Sequence, residues 1–416
     1  MSPTMEKWVA LSIFIATFAA ILWRRVPIHY VAVGAAALLV LLGIVPPDVA
    51  ILKDVNWDVL AIYFGYGLLA VALTESGVPA LLAHRILRKA RTEKYALLLL
   101  CTLAAALSSF MPNPVVVLTL APVAIEMSDR IQSHLFLYII GLAIASNIVT
   151  TVSMVADPPS IILAGSTGMR FLDFYWFKGR PGLGTLSIVG VAVALLTLLV
   201  RFKGLNKSVH APPEKIEISY GASLLFVLSI IALALIPMRH PGIIGVVLGV
   251  LSMLLVRHKG MAALREFDWA SIAFLIGIFI VVGSLNKVGL LKDLSTWLKG
   301  IGASNTSAIF LLLVWLSVGL SSFIDNVPYT VLMIPTCTYL AEMLGASPYP
   351  FYYGMLVGTG IGGNLTPVGA TANVLACGIL EKRGHKVELL RYMKMSVPFS
   401  LSAVLAVQLL LQFFWL

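Results

Sequence analysis

The stretch "LSSFIDNVPYTVLMIP", residues 320–335, sets Asp325, Asn326 and Pro328 inside an otherwise apolar segment. Each is costly in a helix that faces lipid. An ionisable side chain in hydrocarbon is rare and usually functional. A proline in a helix interior removes a backbone hydrogen bond and clashes with the preceding turn. A second stretch answers the first: "LSSFMPNPVVVLTLAP", residues 107–122, aligns with it at an offset of 213. Upstream, "NWDVLAIYFGYGLLAVALTESG" (56–77) aligns with "DWASIAFLIGIFIVVGSLNKVG" (268–289) at 212. Further on, the offset of 213 pairs Gly141 with Gly354, Ser160 with Asn373 and Gly165 with Gly378. A near-constant offset over most of a chain marks an internal repeat. The expected halves are 1–206 and 214–416, joined by a polar linker at 207–213.

The composition says what surrounds these stretches. Of 416 residues, 59% are hydrophobic and only 12% charged, and the mean hydropathy is +0.97. A soluble globular domain carries roughly a quarter charged residues. Long apolar runs recur from end to end, as in an all-α polytopic membrane protein. The net charge of +10 comes from basic residues in short loops between those runs, where they set topology, so no nucleic-acid partner is expected. The first run lacks the positive n-region and small-residue cleavage site of a signal peptide and reads as a span. Cys101, Cys337 and Cys377 lie in apolar runs without metal-ligand spacing, so neither a metal site nor a disulfide is expected. No nucleophile elbow, phosphate loop or dinucleotide fingerprint occurs. An enzyme is therefore not expected, nor a cofactor.

In the first half the apolar runs are 8–23, 29–45, 58–76, 95–111, 114–127, 135–168 and 183–200. Only "MPNP" separates the fourth from the fifth, so 95–127 reads as a re-entrant hairpin that enters and leaves on one side. The run 135–168 is interrupted by "SNIVTTVSMVADPPS" and reads as one span built from two half-helices. The second half repeats this with a hairpin at 306–341 and a broken helix at 350–381. Each half then crosses five times, and an odd number inverts the second half relative to the first. Ten crossings place 20 of the 29 basic residues on the side opposite the N-terminus. The positive-inside rule makes that side cytoplasmic. Both termini are then expected outside the cell's inner (plasma) membrane.

Inverted repeats with broken helices are the architecture of secondary transporters, whose sites lie near the midplane where half-helix ends meet. Four polar stretches are expected to converge there: the hairpin tips "FMPNP" and "FIDNVPYT", and the breaks "SNIVTTVSMVADPP" and "GGNLTPVGATANV". Their Asn, Thr and Asp side chains are the candidate ligands. Asp157 and Asp325 are the candidate groups for proton or cation coupling. A plain cap on the half-helix that starts at Pro158-Pro159 competes with that role for Asp157. A lone amide such as Asn286 is expected only to bond a neighbouring helix, and Glu75, Glu126 and Glu342 are read as structural.

The motifs also resemble a known family. "DPPS" after a polar break resembles the DPPN stretch of the ArsB/NhaD permeases of the ion transporter superfamily. "GGNLTPVGATANVLACGILEKRGHKV" and "SSFIDNVPYTVLMIP" resemble their second-half break and second hairpin tip. That family includes arsenite and antimonite efflux permeases, sodium/proton antiporters, and relatives that move organic anions or silicic acid. The resemblance implies a substrate site at Asn113, Asn147, Thr150, Thr151, Asn326, Thr330, Asn364, Thr366, Thr371 and Asn373, with Asp325 among them. It also implies a homodimer, and any ATPase partner would have to be a separate cytoplasmic chain. Ser160 stands where relatives often have Asn, and the first tip reads Pro-Asn rather than an acid beside Asn. A strictly symmetric site is therefore not expected.

The tips and breaks hold no Arg or Lys, which disfavours an organic anion. Near neutral pH arsenite is mostly an uncharged trihydroxide, and amides and hydroxyls can donate and accept together around it. The expected function is proton-coupled efflux of arsenite or antimonite by alternating access, ahead of sodium/proton antiport and ahead of an anion or silicic acid permease. Thiols would hold arsenic too tightly for release, so the cysteines are read as packing groups.

Overall fold

In the computed structural model the chain is described over residues 2–23, 25–209, 218–236, 240–256, 264–265, 267–302 and 305–416. Much of the expected linker, and Arg24, Lys215, Arg239, Arg257 and Lys259 of the charge count, lie outside the described residues.

The architecture is nearly all helix. The first nine helices are α1 (Pro3–Trp23), α2 (Ile28–Leu41), α3 (Trp57–Glu75), α4 (Val78–Leu87), α5 (Glu93–Ser108), α6 (Asn113–Arg130), α7 (Leu135–Asn147), α8 (Pro158–Thr167) and α9 (Leu183–Arg201). The next nine are α10 (Tyr220–Leu235), α11 (Gly242–Leu255), α12 (Trp269–Lys287), α13 (Leu290–Ile301), α14 (Thr306–Ser321), α15 (Asn326–Leu344), α16 (Tyr349–Gly362), α17 (Thr371–Lys382) and α18 (Leu389–Trp415). The order of long, short and paired helices recurs, and α5 and α14 are offset by 213 at both ends. A two-stranded ribbon pairs Trp176–Phe177 with Arg180–Pro181 between α8 and α9.

Among the described residues five helices, α1, α3, α9, α12 and α18, are long and apolar enough to cross a membrane by themselves. The other five expected crossings fall on α2, α10 and α11, of 14 to 16 residues each, and on two interrupted pairs, α7 with α8 and α16 with α17. The breaks run from Ile148 to Asp157 and from Gly363 to Ala370. Residues 78–87 and 290–301, which no apolar run marks, form α4 and α13, one just before each helical hairpin. Both start after a glycine in the left-handed region, Gly77 (φ 74°) and Gly289 (φ 81°), which a residue without Cβ adopts without penalty.

The packing is crosswise. Helix α3 lies against α11, and α12 lies against α2. The hairpin α5–α6 packs on α7 and also on α17, whereas the hairpin α14–α15 packs on α16 and also on α8. Each hairpin thus touches the half-helix that comes from the other half of the chain. Two glycines permit the closest scaffold contacts. A Cβ on Gly65 of α3 would fall on the backbone of Gly245 in α11, and one on Gly277 of α12 would fall on the backbone at Ala32 in α2. Such small-residue contacts let apolar helices approach through dispersion rather than through expulsion of water. Asn286 accepts a hydrogen bond from the Tyr339 hydroxyl of α15 at 2.7 Å, bonding a neighbouring helix as its isolation suggests.

Asp54, in the turn before α3, is wedged against Gly283 of α12. Burial pushes its carboxyl up from 3.8 to about 6, against the pull of Lys287. One carboxyl oxygen there is buried with no hydrogen-bond partner.

Gly65→Val and Gly277→Val should each lower stability by roughly 1–3 kcal/mol or more, the cost of overpacking. Gly34→Ala, where a Cβ meets nothing within 4 Å, should be neutral or slightly stabilising. Thermal unfolding of purified protein in detergent checks this contrast. A carboxyl whose pKa is raised on folding removes stability as pH rises from the unfolded to the folded value. For Asp54 that window runs from 3.8 to about 6, and Asp54→Asn should flatten the melting-temperature profile across it.

Candidate transport site

The two breaks and the two hairpin tips meet. Their centre is an amide cluster. The Asn147 amide at the end of α7 donates to Asn364 Oδ1 at 2.9 Å and to Asn373 Oδ1 at 2.8 Å. Asn364 donates onward to the Ile144 carbonyl at 2.9 Å. Asn373 donates to the Gly363 and Thr366 carbonyls at 3.1 and 3.4 Å. All three residues are buried. With two N–H groups per amide, Asn147 and Asn373 spend both on the protein itself.

The threonines are engaged in the same way. Thr151 shares a hydrogen bond with Ser187 at 2.7 Å, Thr330 donates to the Asn326 carbonyl at 2.7 Å, and Thr366 donates to the Ser322 carbonyl. Thr150 divides its one hydrogen between the Asn147 carbonyl at 2.9 Å and Asp157 Oδ2 at 3.2 Å. Ser160 donates to the Thr150 carbonyl.

Beside this cluster lies a cavity of about 430 Å³. Of the twelve expected site residues it is lined by Asn113, Asn147, Asp157, Asp325, Asn326 and Thr371. Thr150, Thr151, Thr330, Asn364, Thr366 and Asn373 are not on its wall but support it from behind. Among the described residues no Lys or Arg lines the cavity, and none of the three cysteines does.

Two of its acids, Asp157 and Asp325, hold opposite jobs to the simplest capping expectation. Asp157 precedes Pro158 and Pro159 in extended backbone and makes no capping bond: the two prolines offer no N–H, and the Ser160 N–H goes to the Asp157 main-chain carbonyl at 3.1 Å. Asp157 Oδ2 instead accepts from the Asn326 amide at 3.1 Å and from Thr150. Asp325 does cap its helix, its Oδ1 accepting from the Val327 N–H at 3.0 Å. The two carboxylates lie close enough to repel each other.

The repeat gives the cavity two unlike walls. At an offset of 213 the counterpart of Asp157 is Ala370 and that of Asp325 is Pro112, while Asn326 matches Asn113. The α8–α15 wall therefore carries Asp157, Asp325 and Asn326, and the α6–α17 wall carries Pro112, Asn113, Ala370 and Thr371. Asn113 is buried there, and its Oδ1 has no hydrogen-bond partner.

Three polar residues of the cavity escape a reading of the tips and breaks alone: Tyr63 of α3, and Asp268 and Ser271 at the start of α12. The repeat contained the signal. Asp268 stands opposite Asn56, and each caps its helix, Asn56 through the Val59 N–H at 3.2 Å and Asp268 through the Ser271 N–H at 3.0 Å.

Comparison with known proteins places this geometry. Residues 18–358 match the CitMHS family, described as "Citrate transporter". The chain is 30% identical over 402 residues to the "Uncharacterized transporter Rv2684" of Mycobacterium tuberculosis, covering 91% of this chain and 92% of that one. It is 26% identical to the "Magnetosome protein MamN" of Magnetospirillum gryphiswaldense, over 89% and 88% of the two chains. In fold it is similar to the Alcanivorax borkumensis YdaH transporter, whose structure has an unusual topology, with a TM-score of 0.58, 14% identity, and coverage of 90% and 87%.

Asn147→Ala should strand the Asn364 and Asn373 oxygens, at about 1–3 kcal/mol for each buried group left unpaired. Thr371→Ala on the cavity wall should leave stability within about 0.5 kcal/mol and alter only transport. Unfolding and flux measured on the same two variants separate supporting residues from lining ones.

Proposed function

We propose, starting from the fact that the chain belongs to the CitMHS citrate-transporter family of secondary membrane transporters, that it expels arsenite or antimonite in exchange for protons by alternating access. The observation that carries this is the cavity wall. It offers three carboxylates, three amides and three hydroxyls, and no Lys or Arg among the described residues. A free tricarboxylate would meet three acids there with no lining cation to offset them. An uncharged trihydroxide meets groups that can both donate and accept.

The unlike walls divide the work. The Asp157–Asp325 wall takes the coupling proton, because adding one proton removes the repulsion between the two carboxylates. A protonated carboxyl also becomes a donor, which changes the hydrogen bonds open to a neighbouring solute. The Asn113–Thr371 wall takes the solute, with the unpaired Asn113 oxygen accepting from one of its hydroxyls. Exposure to the two membrane sides alternates as the hairpins and half-helices of the inverted halves, 1–206 and 214–416, move against each other. The likeness of the tips and breaks to ArsB/NhaD permeases supports this substrate class. The excess of basic residues on one side of the expected crossings supports placing both termini outside the inner membrane. A homodimer is part of the same proposal.

A second reading, sodium/proton antiport, is favoured by the oxygens themselves. Two carboxylates beside an unpartnered amide oxygen also form a donor set for a hard cation.

Everted membrane vesicles containing the protein test both. Arsenite accumulation that requires an imposed proton gradient, and that is lost in Asp157→Asn and Asp325→Asn, is the expected result. Proton movement driven by sodium without metalloid would transfer the assignment to sodium. Flux of citrate, alone or with Mg²⁺ to mask its charge, would overturn both.

A further inference from the structure

The cavity is lined by one acid that is buried and by another that is exposed. Asp157 is the inner one, buried at the start of α8. Asp268 is the outer one, at the start of α12, where the first residues of α2 also border the cavity. Tyr63 of α3 lines the same cavity. Its hydroxyl donates to Asp268 Oδ2 at 3.4 Å, and it feels the charge of Asp157 as well as that of Asp268. Ser271 donates to the same Asp268 oxygen through its hydroxyl and to Oδ1 through its backbone N–H.

Helix capping accounts for one oxygen of Asp268 and not for the rest. Asn56, its counterpart in the repeat, caps with an amide and carries no charge. A carboxylate at position 268 therefore adds something a cap does not need. Among the described residues that line the cavity, the titratable groups are Tyr63, Asp157, Asp268 and Asp325. The walls supplied by α2, α6, α7 and α17 contribute none.

We propose that Asp268 and Tyr63 form the entry relay for the coupling proton, passing it between the cavity mouth and Asp157. Asp268 gathers the proton at the mouth. Once Asp268 is protonated, the Tyr63 hydroxyl turns its hydrogen from Asp268 toward Asp157, accepts the Asp268 proton on its oxygen and releases its own, so the phenol is neutral before and after and no charge is left on the ring. The reverse order returns the proton to the mouth. Both residues act through Asp157 and do not touch the solute. The proposal rests on the assignment of Asp157 as the coupling acid, and its test does not depend on which solute is moved.

The test follows protonation of Asp157 directly, by its carboxylic C=O infrared band, after photo-release of protons in purified protein. The band is identified by its loss in Asp157→Asn. Asp268→Asn preserves the cap, since Asn is as good a capping residue as Asp and Asn56 already serves as one. The relay predicts that the band rises at least tenfold more slowly in Asp268→Asn and in Tyr63→Phe, with its final amplitude kept, and that Asp268→Glu restores the rate. Melting temperatures should stay at the wild-type value, which excludes a folding defect as the cause. Wild-type rates in both variants would overturn the relay even if proton-coupled arsenite flux were found. The lack of any Asp157-dependent band would overturn it too. Slowed protonation without arsenite, sodium or citrate flux would support the relay and count against the proposed substrates instead.

Discussion

Everything in the interior hangs on the Asn147 amide. Two chain segments lose helical hydrogen bonding deep inside an apolar molecule, and an unpaired polar group there costs several times what a paired one returns. Asn147 ends one half-helix and holds two side chains of the opposite break, and those two side chains in turn donate to the carbonyls of Ile144, Gly363 and Thr366. One side chain thus ties the breaks from both parts of the chain into a single satisfied network. The cavity can exist beside it because the backbone behind its wall is already paired.

This explains which site residues could be read from the sequence and which could not. The polar clusters at Asn113, Asn147, Asp325 and Asn364 are conspicuous because any polar group in an apolar run needs a partner. The demand for a partner is the same whether the partner is protein or solute, so spacing alone does not separate Asn113, with its unpaired oxygen, from Asn373, whose amide is fully used. Asp157 and Asp325 show the same ambiguity. Both precede a helix, and only coordinates tell that the Ser160 N–H goes to the main-chain carbonyl of Asp157 while the Val327 N–H goes to the side chain of Asp325. Tyr63 lies within an apolar run and reads as packing, because its approach to Asp268 crosses 205 residues of chain.

The order of elements was more accessible than their roles. Apolar runs and the offset of 213 mark every long helix, since lipid demands continuous hydrophobicity over a span. They miss α4 and α13, which are short, carry polar residues and need no such run. They also say nothing about partners. The crosswise contacts of α3 with α11 and of α12 with α2 depend on Gly65 and Gly277, and a glycine in a membrane helix has many other uses.

The crosswise packing has a chemical consequence. If each hairpin packed only within its own half, Asp325 would face the second break and Asp157 the first hairpin, and the two acids would be kept apart. Instead α15 lies against α8, which brings an acid from a tip and an acid from a break to the same wall. Their counterparts, Pro112 and Ala370, meet on the other wall and carry no charge. A symmetric fold thereby yields an asymmetric cavity without any departure from the shared backbone plan. Two substitutions relative to the repeat are sufficient for it. One wall then carries two carboxylates and an amide and the other an amide and a hydroxyl, and a single cavity separates the two sets.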